Sequence, residues 1–361
     1  MIKVCFAFNN LQVADGVARS VIAIANSLVL TNSFEIYLRP LFKCDLNARQ
    51  MLDRRVKVKP VFGFYFKGMG RILEKLSCTY LHRFIYQDNK YDVEIGFQHG
   101  VSTCAVASGK NDLAKKIIWV HGLDEKISFR KYYEHVNRVV AVSNENAMKL
   151  KSVLSSSCDV RCCYNIIDEE VVWNKAKEHV VNLNYGIEIV NFIAVGRLSP
   201  EKGFDRIIKA ASVLKKEKQK FKVIIIGGGI EESRLRSMIV ESKLQNNIIM
   251  IGEQENPYKY MARSDVLICS SKTEGMSTVC MEACLLNVPV ITTSVGGSRE
   301  IIGMANSGMI VENSDEGILD GMRYILNNKA ELLKWKRKLK YARGNFYKAE
   351  RINDIINVIS N

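Results

Sequence analysis

Short apolar runs alternate with longer segments of helical periodicity along the whole chain. Residues 16–30 carry apolar side chains at the three- and four-residue spacing of an amphipathic helix, directly after an apolar run that suits a buried strand. The runs that predict buried parallel strands are residues 3–8, 35–41, 93–97, 115–121 and a run from 138 in the first half, and 190–195, 222–226, 248–251, 266–269 and 288–292 in the second. Strands that alternate with helices predict α/β domains with doubly wound parallel sheets.

The chain length and the pattern together predict two domains. A chain of 361 residues is long for one domain and sufficient for two. Polar, charged sequence without a clear period follows Asp168 up to about Gly186, and we interpret it as the linker. We therefore expect a first domain over residues 1–175 and a second over residues 176–345.

The composition is that of a folded, basic protein. The hydrophobic fraction is 47% and the aromatic fraction 9%, which excludes a disordered chain. The net charge is +14 and the pI about 9.2, with the basic excess spread over both halves. A basic surface suits anionic substrates, anionic lipid headgroups or nucleic acid, or merely a basic soluble protein.

Cysteine usage favours a reducing compartment and gives no metal site. The ten cysteines include no CxxC pair, and Cys5 and Cys269 lie within apolar runs. Cys280 and Cys284 have helical i,i+4 spacing but no accompanying ligands, so we expect no zinc.

The N-terminus runs directly into a strand, and no apolar stretch approaches the roughly 20 residues of a spanning helix. We expect any membrane contact to be peripheral.

The stretch VLICSSKTEGMSTVCMEACLLNVPVITTSVGGSREII, residues 266–302, carries the most informative chemistry. It reads as strand, loop, helix, strand, turn and helix, with Glu274 on the loop and Glu282 in the first helix. The helix N-terminus near Gly275 and Val279 offers unpaired N–H groups to an anion. A nucleoside diphosphate sugar fits this arrangement, although two surface glutamates would produce the same spacing.

Four further residues follow predicted strands, where an open α/β sheet places its ligands. Gly16 opens the first helix and would allow a phosphate or sugar to approach closely, or it is an ordinary turn glycine. His121 ends the strand that begins at Lys115 and points toward the ligand crevice, unless it is a hydrogen-bonded structural histidine. Arg197 and Lys202 lie in the loop GRLSPEKGFDR and could clamp a diphosphate.

Two segments suggest contact with a surface. Residues 61–71, VFGFYFKGMGR, mix aromatics, glycines and cations. Such a segment could contact a lipid headgroup or an acceptor, or it is a mobile loop with some packed aromatics. Residues 331–343, ELLKWKRKLKYAR, predict a strongly basic helix that either lies on an anionic surface or has a solvated outer face.

These motifs resemble the family-four glycosyltransferases, retaining enzymes of the GT-B fold. GRLSPEKGFD resembles the family's basic phosphate loop, EGMSTVCME its Glu-x7-Glu motif, and PVITTSVGGSREII the segment that follows. The resemblance implies two Rossmann-like domains facing across a cleft, an acceptor-side first domain and a donor-binding second domain. It also implies that the C-terminal residues 346–361 cross back to the first domain.

The resemblance also implies residue roles. Glu274 and His121 would lie at the reacting sugar, and Glu282 would hold the ribose. The remaining donor-binding residues would contact phosphates or sugar, and they are Gly16, Arg197, Lys202, Gly275, Met276, Ser277, Thr278 and Val279. One departure is the first loop, Asp15-Gly16-Val17-Ala18, where Asp15 and Ala18 replace a glycine and a glutamate.

The implied function is transfer of a sugar, with retention, from a nucleotide sugar to a lipid-linked saccharide. A UDP-sugar is favoured and GDP-mannose is possible, in bacterial O-antigen, capsule or lipopolysaccharide assembly at the cytoplasmic face of the membrane. The sequence has no DxD motif, so we expect neither a metal nor a cofactor, and we expect no nucleic-acid partner. Two alternatives are a nucleotide-sugar epimerase of the same fold and a basic protein that binds nucleic acid or an anionic surface.

Overall fold

The structure is a computed structural model that describes residues 1–13, 15–66, 68–74, 76–87, 90–109, 113–123, 127–180, 185 and 189–360. Lys67, in the aromatic segment 61–71, lies outside the described residues, as do residues 181–184 and 186–188 of the predicted linker.

The chain forms two compact units. Unit 1 contains Met1–Ile166 and Ala349–Asn361, and unit 2 contains Ile167–Lys348. The first boundary therefore falls before the predicted division at residues 175 and 176. The helix Glu169–Ala176 belongs to unit 2, because its Trp173 packs on Tyr347 and its indole N–H donates to the Leu285 carbonyl at 3.1 Å.

Each unit is built on a parallel sheet. In unit 1 the strand order is β3-β2-β1-β4-β5-β6-β7, and in unit 2 it is β10-β9-β8-β11-β12-β13. The strands of unit 1 are β1 Ile2–Phe8, β2 Phe34–Pro40, β3 Lys57–Val58, β4 Val93–Gly96, β5 Lys115–Val120, β6 Arg138–Ala141 and β7 Val160–Cys162. Those of unit 2 are β8 Val190–Val195, β9 Phe221–Ile226, β10 Ile248–Met250, β11 Val266–Cys269, β12 Val290–Thr293 and β13 Met309–Val311.

Helices connect nearly all consecutive strands. The helices before the second sheet are α1 Gly16–Leu30, α2 Leu46–Gln50, α3 Met69–Leu73, α4 Cys78–Tyr86, α5 Val101–Ala107, α6 Arg130–Tyr133, α7 Asn144–Val153 and α8 Glu169–Ala176. They are followed by α9 Phe204–Lys216, α10 Glu232–Glu241, α11 Tyr258–Met261, α12 Thr278–Leu285, α13 Ser298–Ala305, α14 Asp315–Asn327, α15 Lys329–Ala342 and α16 Ala349–Ser360. This alternation is the predicted doubly wound α/β architecture.

The last helix, α16, belongs to unit 1. The Arg138 guanidinium donates to the Val358 carbonyl at 2.6 Å, and Lys115 Nζ donates to the Val358 and Ile359 carbonyls at 3.1 and 3.3 Å. Ile355 and Ile359 are fully buried. Cations on the last carbonyls of a helix satisfy unpaired acceptors and complement its dipole. The predicted return of the C-terminal segment to the first domain is thereby confirmed.

In the described part of the chain, none of the helices combines the length and the apolar character that crossing a bilayer requires.

Candidate functional site

In unit 2, the loops after β8 and β11 pack directly on each other. Gly203 adopts a left-handed conformation with φ 63°, and a Cβ there would collide with the Ser270 carbonyl oxygen. The Ser270 hydroxyl donates to the Lys202 carbonyl at 2.9 Å. Arg206, which sequence reasoning did not single out, donates to the Ser270 carbonyl at 3.3 Å and to the Asn313 side chain at 2.6 Å. These contacts place the basic loop beside the Glu274 loop.

The packing brings Lys202 and Glu274 together, although they are 72 residues apart in the sequence. Lys202 Nζ donates to Glu274 Oε1 at 2.6 Å, and the Ser271 hydroxyl donates to the same oxygen at 2.7 Å. Burial by itself would lower the pKa of Lys202, but the adjacent Glu274 carboxylate outweighs it and raises the pKa above its usual value. Lys202 is therefore a stably charged donor at the carboxyl ends of β8 and β11.

Arg197, on the same loop, extends into solvent. Its side chain is 72% exposed, and its guanidinium pairs with Glu201 at 3.2 Å. Glu201 Oε1 also accepts from the Ser199 hydroxyl at 2.6 Å. An exposed ion pair of this kind contributes little to stability, so Arg197 can exchange Glu201 for an incoming anion at low cost.

Helix α12 begins at the end of the Glu274 loop. Ser277 is its N-cap, and within the described residues the Ser277 side chain makes no capping hydrogen bond. Thr278 is the first helical residue. The first N–H groups of a helix lack intrahelical acceptors, so this end keeps donors for a phosphate or sugar oxygen. Met276 and Ser277 are buried, while Thr278 and Val279 are half-buried.

The start of helix α13 supports this loop from the other side. Gly297 has φ 72°, and a Cβ at this position would lie 2.9 Å from the Gly275 carbonyl oxygen and 3.2 Å from the Met276 Cα. The absence of a side chain at Gly297 therefore lets the two loops approach each other.

Glu282 lies one turn into α12 and is only 2% exposed. The Tyr258 hydroxyl donates to Glu282 Oε1 at 3.0 Å, and Tyr258 itself is 5% exposed. A charged side chain with this burial requires partners, and Tyr258 orients the carboxylate. Sequence reasoning found Glu282 but missed Tyr258, which carries no motif and reaches the helix only through tertiary packing.

In unit 1, His121 follows β5 directly, as predicted. Its ring packs edge-on against Phe97 with centroids 4.6 Å apart. Burial, helped by the nearby His99, lowers the pKa of His121 to about 3, so the imidazole is neutral at physiological pH. Its Nε2 is buried and, among the described residues, has no hydrogen-bond partner. Such an atom is uncommon in a folded protein and marks a position where a ligand could bind.

His99 was missed by sequence reasoning and lies at the same edge of the sheet, three residues after β4. The His99 Nε2 and the Tyr133 hydroxyl are 2.6 Å apart, and the His99 ring stacks on Phe129 with centroids 5.2 Å apart. The sequence signal was available, because His99 follows a buried strand and precedes a glycine, as His121 does.

Gly16 is the first residue of α1, as predicted, but the helix start is already capped. The Asp15 carboxylate accepts from the Val17 N–H at 2.9 Å. The departure from the family pattern at Asp15 therefore places a negative charge where an anion would otherwise be attracted.

The structure thus joins Lys202 and Glu274 at the start of α12 in unit 2, and it places His121 and Gly16 at strand ends in unit 1. No group of three or more His, Cys, Asp or Glu side chains among the described residues is arranged to hold a metal ion. A reaction without a metal stays a prediction.

Comparison with known proteins identifies the class. Two parallel-sheet Rossmann-like units and the arrangement of their helices define the GT-B fold, as predicted. Residues 188–342 match the family model "Glycosyl transferases group 1". The matched residues include all of Arg197, Lys202, Glu274 and Glu282, and the predicted resemblance is confirmed.

One curated relative is N-acetylgalactosamine-N,N'-diacetylbacillosaminyl-diphospho-undecaprenol 4-alpha-N-acetylgalactosaminyltransferase from Campylobacter jejuni. It is 28% identical over 214 residues, which are 59% of this chain and 56% of that protein. The match therefore spans little more than half the length of the relative.

Two solved structures resemble the whole chain. Sucrose-phosphate synthase from Thermosynechococcus elongatus has a TM-score of 0.80 at 15% identity, covering 99% of this chain and 98% of that one. HepE from Anabaena, in complex with UDP and glucose, has a TM-score of 0.76 at 16% identity, covering 100% of both chains. At these identities the likeness establishes the fold alone.

Proposed function

We propose that this protein is a glycosyltransferase that moves a sugar from a nucleotide-sugar donor to a saccharide acceptor. The observation that carries the proposal is the Lys202–Glu274 pair beside the start of α12, at 2.6 Å, within the segment matched by the family. Lys202 supplies a charge for the donor diphosphate, and the first N–H groups of α12 supply neutral donors. Glu274 accepts hydrogen bonds from the donor sugar.

The remaining residues have supporting roles in the proposal. Arg197 exchanges its exposed partner Glu201 for a phosphate oxygen, and Glu282, oriented by Tyr258, accepts from the ribose hydroxyls. In unit 1, neutral His121 offers Nε2 to a hydroxyl of the transferred sugar. Gly16 remains the point where the first helix meets the donor, although the Asp15 cap weakens its attraction for phosphate.

The proposed chemistry is substitution with retention. The bond between the anomeric carbon and the β-phosphate oxygen breaks, and a bond from the acceptor oxygen forms on the same face of the sugar. The acceptor hydroxyl proton passes to the departing phosphate oxygen. Lys202 and the α12 N–H groups stabilise the charge that develops on the diphosphate, because fixed donors do not need to reorganise during the reaction.

The proposed donor is a UDP-sugar, with GDP-mannose second, and the proposed acceptor is a lipid-linked glycan of bacterial surface-polysaccharide assembly. The Campylobacter relative acts on a diphospho-undecaprenol saccharide, and the HepE structure contains UDP, which supports both choices. We place the protein at the cytoplasmic face of the membrane, in peripheral contact with anionic lipids, and without a nucleic-acid partner.

The test is calorimetric titration with UDP and GDP of the wild type, Lys202→Met and the control Lys209→Met. Lys209 is an equally cationic residue of α9 that pairs with Asp315 at 2.6 Å and not with Glu274. We expect one nucleotide to bind, with Lys202→Met weakening its affinity about 10- to 100-fold, the range of a lost charge-assisted hydrogen bond. Equal effects of both substitutions, or no nucleotide binding at all, would contradict the proposal.

A second assay separates the alternatives. The protein is incubated with nucleotide sugars of the base that binds, with and without a lipid-linked saccharide. We expect sugar transfer only when the acceptor is present, and we expect the transfer to continue when EDTA is added. Turnover without acceptor would favour an epimerase, and a salt-sensitive gel shift without nucleotide binding would favour a nucleic-acid-binding protein.

A further inference from the structure

Unit 1 exposes a group of aromatic side chains, which we call the aromatic surface: Phe64, Tyr65, Phe66, Tyr80 and Phe84. Their exposed fractions are 60%, 48%, 49%, 65% and 47%. Isolated exposed apolar residues are ordinary, but a contiguous group of this size marks an interaction site. The site in unit 2 uses none of these residues.

Ring contacts show that the surface is continuous. Phe62 stacks on Phe84 with centroids 5.4 Å apart and on Phe42 at 6.2 Å, while Phe42 contacts Tyr65 edge-on at 5.3 Å. Phe62 and Phe42 therefore connect the loop that carries Tyr65 to the outer face of helix α4. Tyr80 is four residues before Phe84 and shares that face.

The scaffold beneath the surface holds α4 in place. On its inner face, His82 Nε2 lies 2.6 Å from Glu94 on β4, and both side chains are almost completely buried. Arg39 on β2 donates to the Ile85 and Phe84 carbonyls at 3.0 and 3.3 Å. Hydrogen bonds to the sheet therefore hold helix α4 with its aromatic face outward.

The charges around the surface select one kind of partner. Lys43 Nζ lies 5.8 Å from the centre of the Tyr65 ring, and Lys59 and Arg83 are exposed on the same segments. Residues 59–86 contain five Lys and Arg and a single acidic residue, Glu74. Aromatic rings with cations beside them suit the headgroup region of an anionic bilayer, where rings enter the interface and cations meet phosphates.

We propose that the aromatic surface is the bilayer-docking face of this protein, and that its partner is a membrane containing anionic phospholipid. The proposal rests on the proposed function only for its purpose, which is to hold the enzyme where a lipid-linked acceptor lies. Docking itself requires no nucleotide. It can therefore be tested even if the glycosyltransferase proposal fails.

The experiment is co-sedimentation of the purified full chain with phosphatidylcholine vesicles and with vesicles of equal parts phosphatidylcholine and phosphatidylglycerol. We expect binding to the anionic vesicles that weakens with added salt, because exposed charges are screened. Two independent double variants test the surface: Tyr80→Ser/Phe84→Ser on α4, and Phe64→Ser/Phe66→Ser on the loop. Each should lower the partition coefficient at least about tenfold, because it removes the apolar side chains that enter the interface.

The matched control is Leu333→Ser/Tyr341→Ser on the basic helix α15, where the two side chains are 64% and 88% exposed. This variant removes comparable apolar area from the other candidate membrane surface and should bind vesicles as the wild type does. Circular dichroism and UDP titration of all variants should be unchanged, since the altered side chains are exposed and distant in sequence from Lys202 and Glu274.

Three outcomes would overturn the proposal. One is absence of wild-type binding to anionic vesicles, and another is loss of binding in the α15 variant with retention in both aromatic variants. The third is an oligomer that dissociates in the aromatic variants while vesicle binding is unaffected, which would assign the surface to a second copy of this chain. Vesicle binding without UDP binding would leave this proposal standing and contradict the proposed function.

Discussion

Lys202 Nζ and Glu274 Oε1 are 2.6 Å apart, and the two residues come from loops after different strands of one sheet. A cation that binds a diphosphate and a carboxylate that binds a sugar would be expected to act on neighbouring parts of one donor. As an ion pair, the two charges neutralise each other. Donor binding therefore requires Lys202 to share its donors between Glu274 and a phosphate oxygen.

Removing the charge of Glu274 should separate binding from turnover. In Glu274→Gln, Lys202 no longer faces a carboxylate, so UDP should bind with unchanged or up to about tenfold higher affinity. Transfer should fall at least about 100-fold, because the acceptor for the sugar hydroxyls is weakened. Calorimetry and a transfer assay measure the two effects. Asp320→Asn, which removes an exposed carboxylate that pairs with Arg323 on helix α14, is the control, and loss of UDP binding in Glu274→Gln would contradict this assignment.

The Gly203 contact should be required for the site's geometry. Gly203→Ala places a Cβ against the Ser270 carbonyl in a backbone conformation that alanine adopts poorly, so we expect a loss of about 1–3 kcal/mol in unfolding free energy. UDP affinity should fall with it, since Lys202 adjoins this turn. Gly303→Ala is the control, because a Cβ there meets nothing within 4 Å in helix α13. Urea unfolding that shows equal stability for both variants would refute the argument.

The hydrogen bond from Tyr258 should stabilise buried Glu282. Tyr258→Phe removes the hydroxyl at 3.0 Å while keeping the ring, and we expect a loss of about 1–3 kcal/mol in unfolding free energy. Tyr260→Phe, which removes a hydroxyl bonded to Gln254 at 3.2 Å on a half-buried side chain, should cost less than about 1 kcal/mol. Chemical denaturation decides between them, and similar losses would show that Glu282 does not depend on Tyr258.

The buried His121 should make stability depend on pH. The pKa of His121 in the folded protein, about 3, lies below its ordinary value of about 6.5. Between these two values the imidazole is protonated in the unfolded chain and neutral in the folded one. The contribution of neutral His121 to the unfolding free energy is fully present above pH 6.5 and is lost as the pH falls toward 3. At pH 5 the loss is up to about 2 kcal/mol.

The variant His121→Asn should flatten this part of the stability profile, while the exposed His179→Asn should leave it intact. Unfolding free energies measured between pH 5 and 8 provide the comparison. A wild-type slope that persists in His121→Asn would assign the dependence to other groups.

Arg138 should hold the end of helix α16 on unit 1. Arg138→Met removes the bonds to the Val358 and Asn357 carbonyls, so amide exchange in the last two turns of α16 should accelerate about tenfold or more. Arg161→Met is the control, because Arg161 pairs with Asp159, the same partner as Arg138, but is 60% exposed. Equal exchange in both variants would show that apolar packing alone retains the helix.

The sequence by itself determined the alternation of strands and helices and the positions of most elements. The α1 bounds, residues 16–30, and the strands β8 and β11 agree with the prediction, because buried apolar runs and helical periodicity are local properties. The short strands β3, β7 and β13 were not predicted, since two or three residues give too little pattern. The Glu274–Glu282 motif and the basic loop were also visible, because each lies within one continuous segment.

Tertiary structure decided which of these residues meet. The pairing of Lys202 with Glu274 depends on parallel strands that are distant in the chain, and the burial of Glu282 depends on Tyr258 from another loop. The ring contacts that join residues 62–65 to α4 likewise require the fold. Sequence patterns record the local preferences of the backbone and the burial of each face. Contacts between side chains that are remote in the sequence arise only when the sheet fixes the strand order.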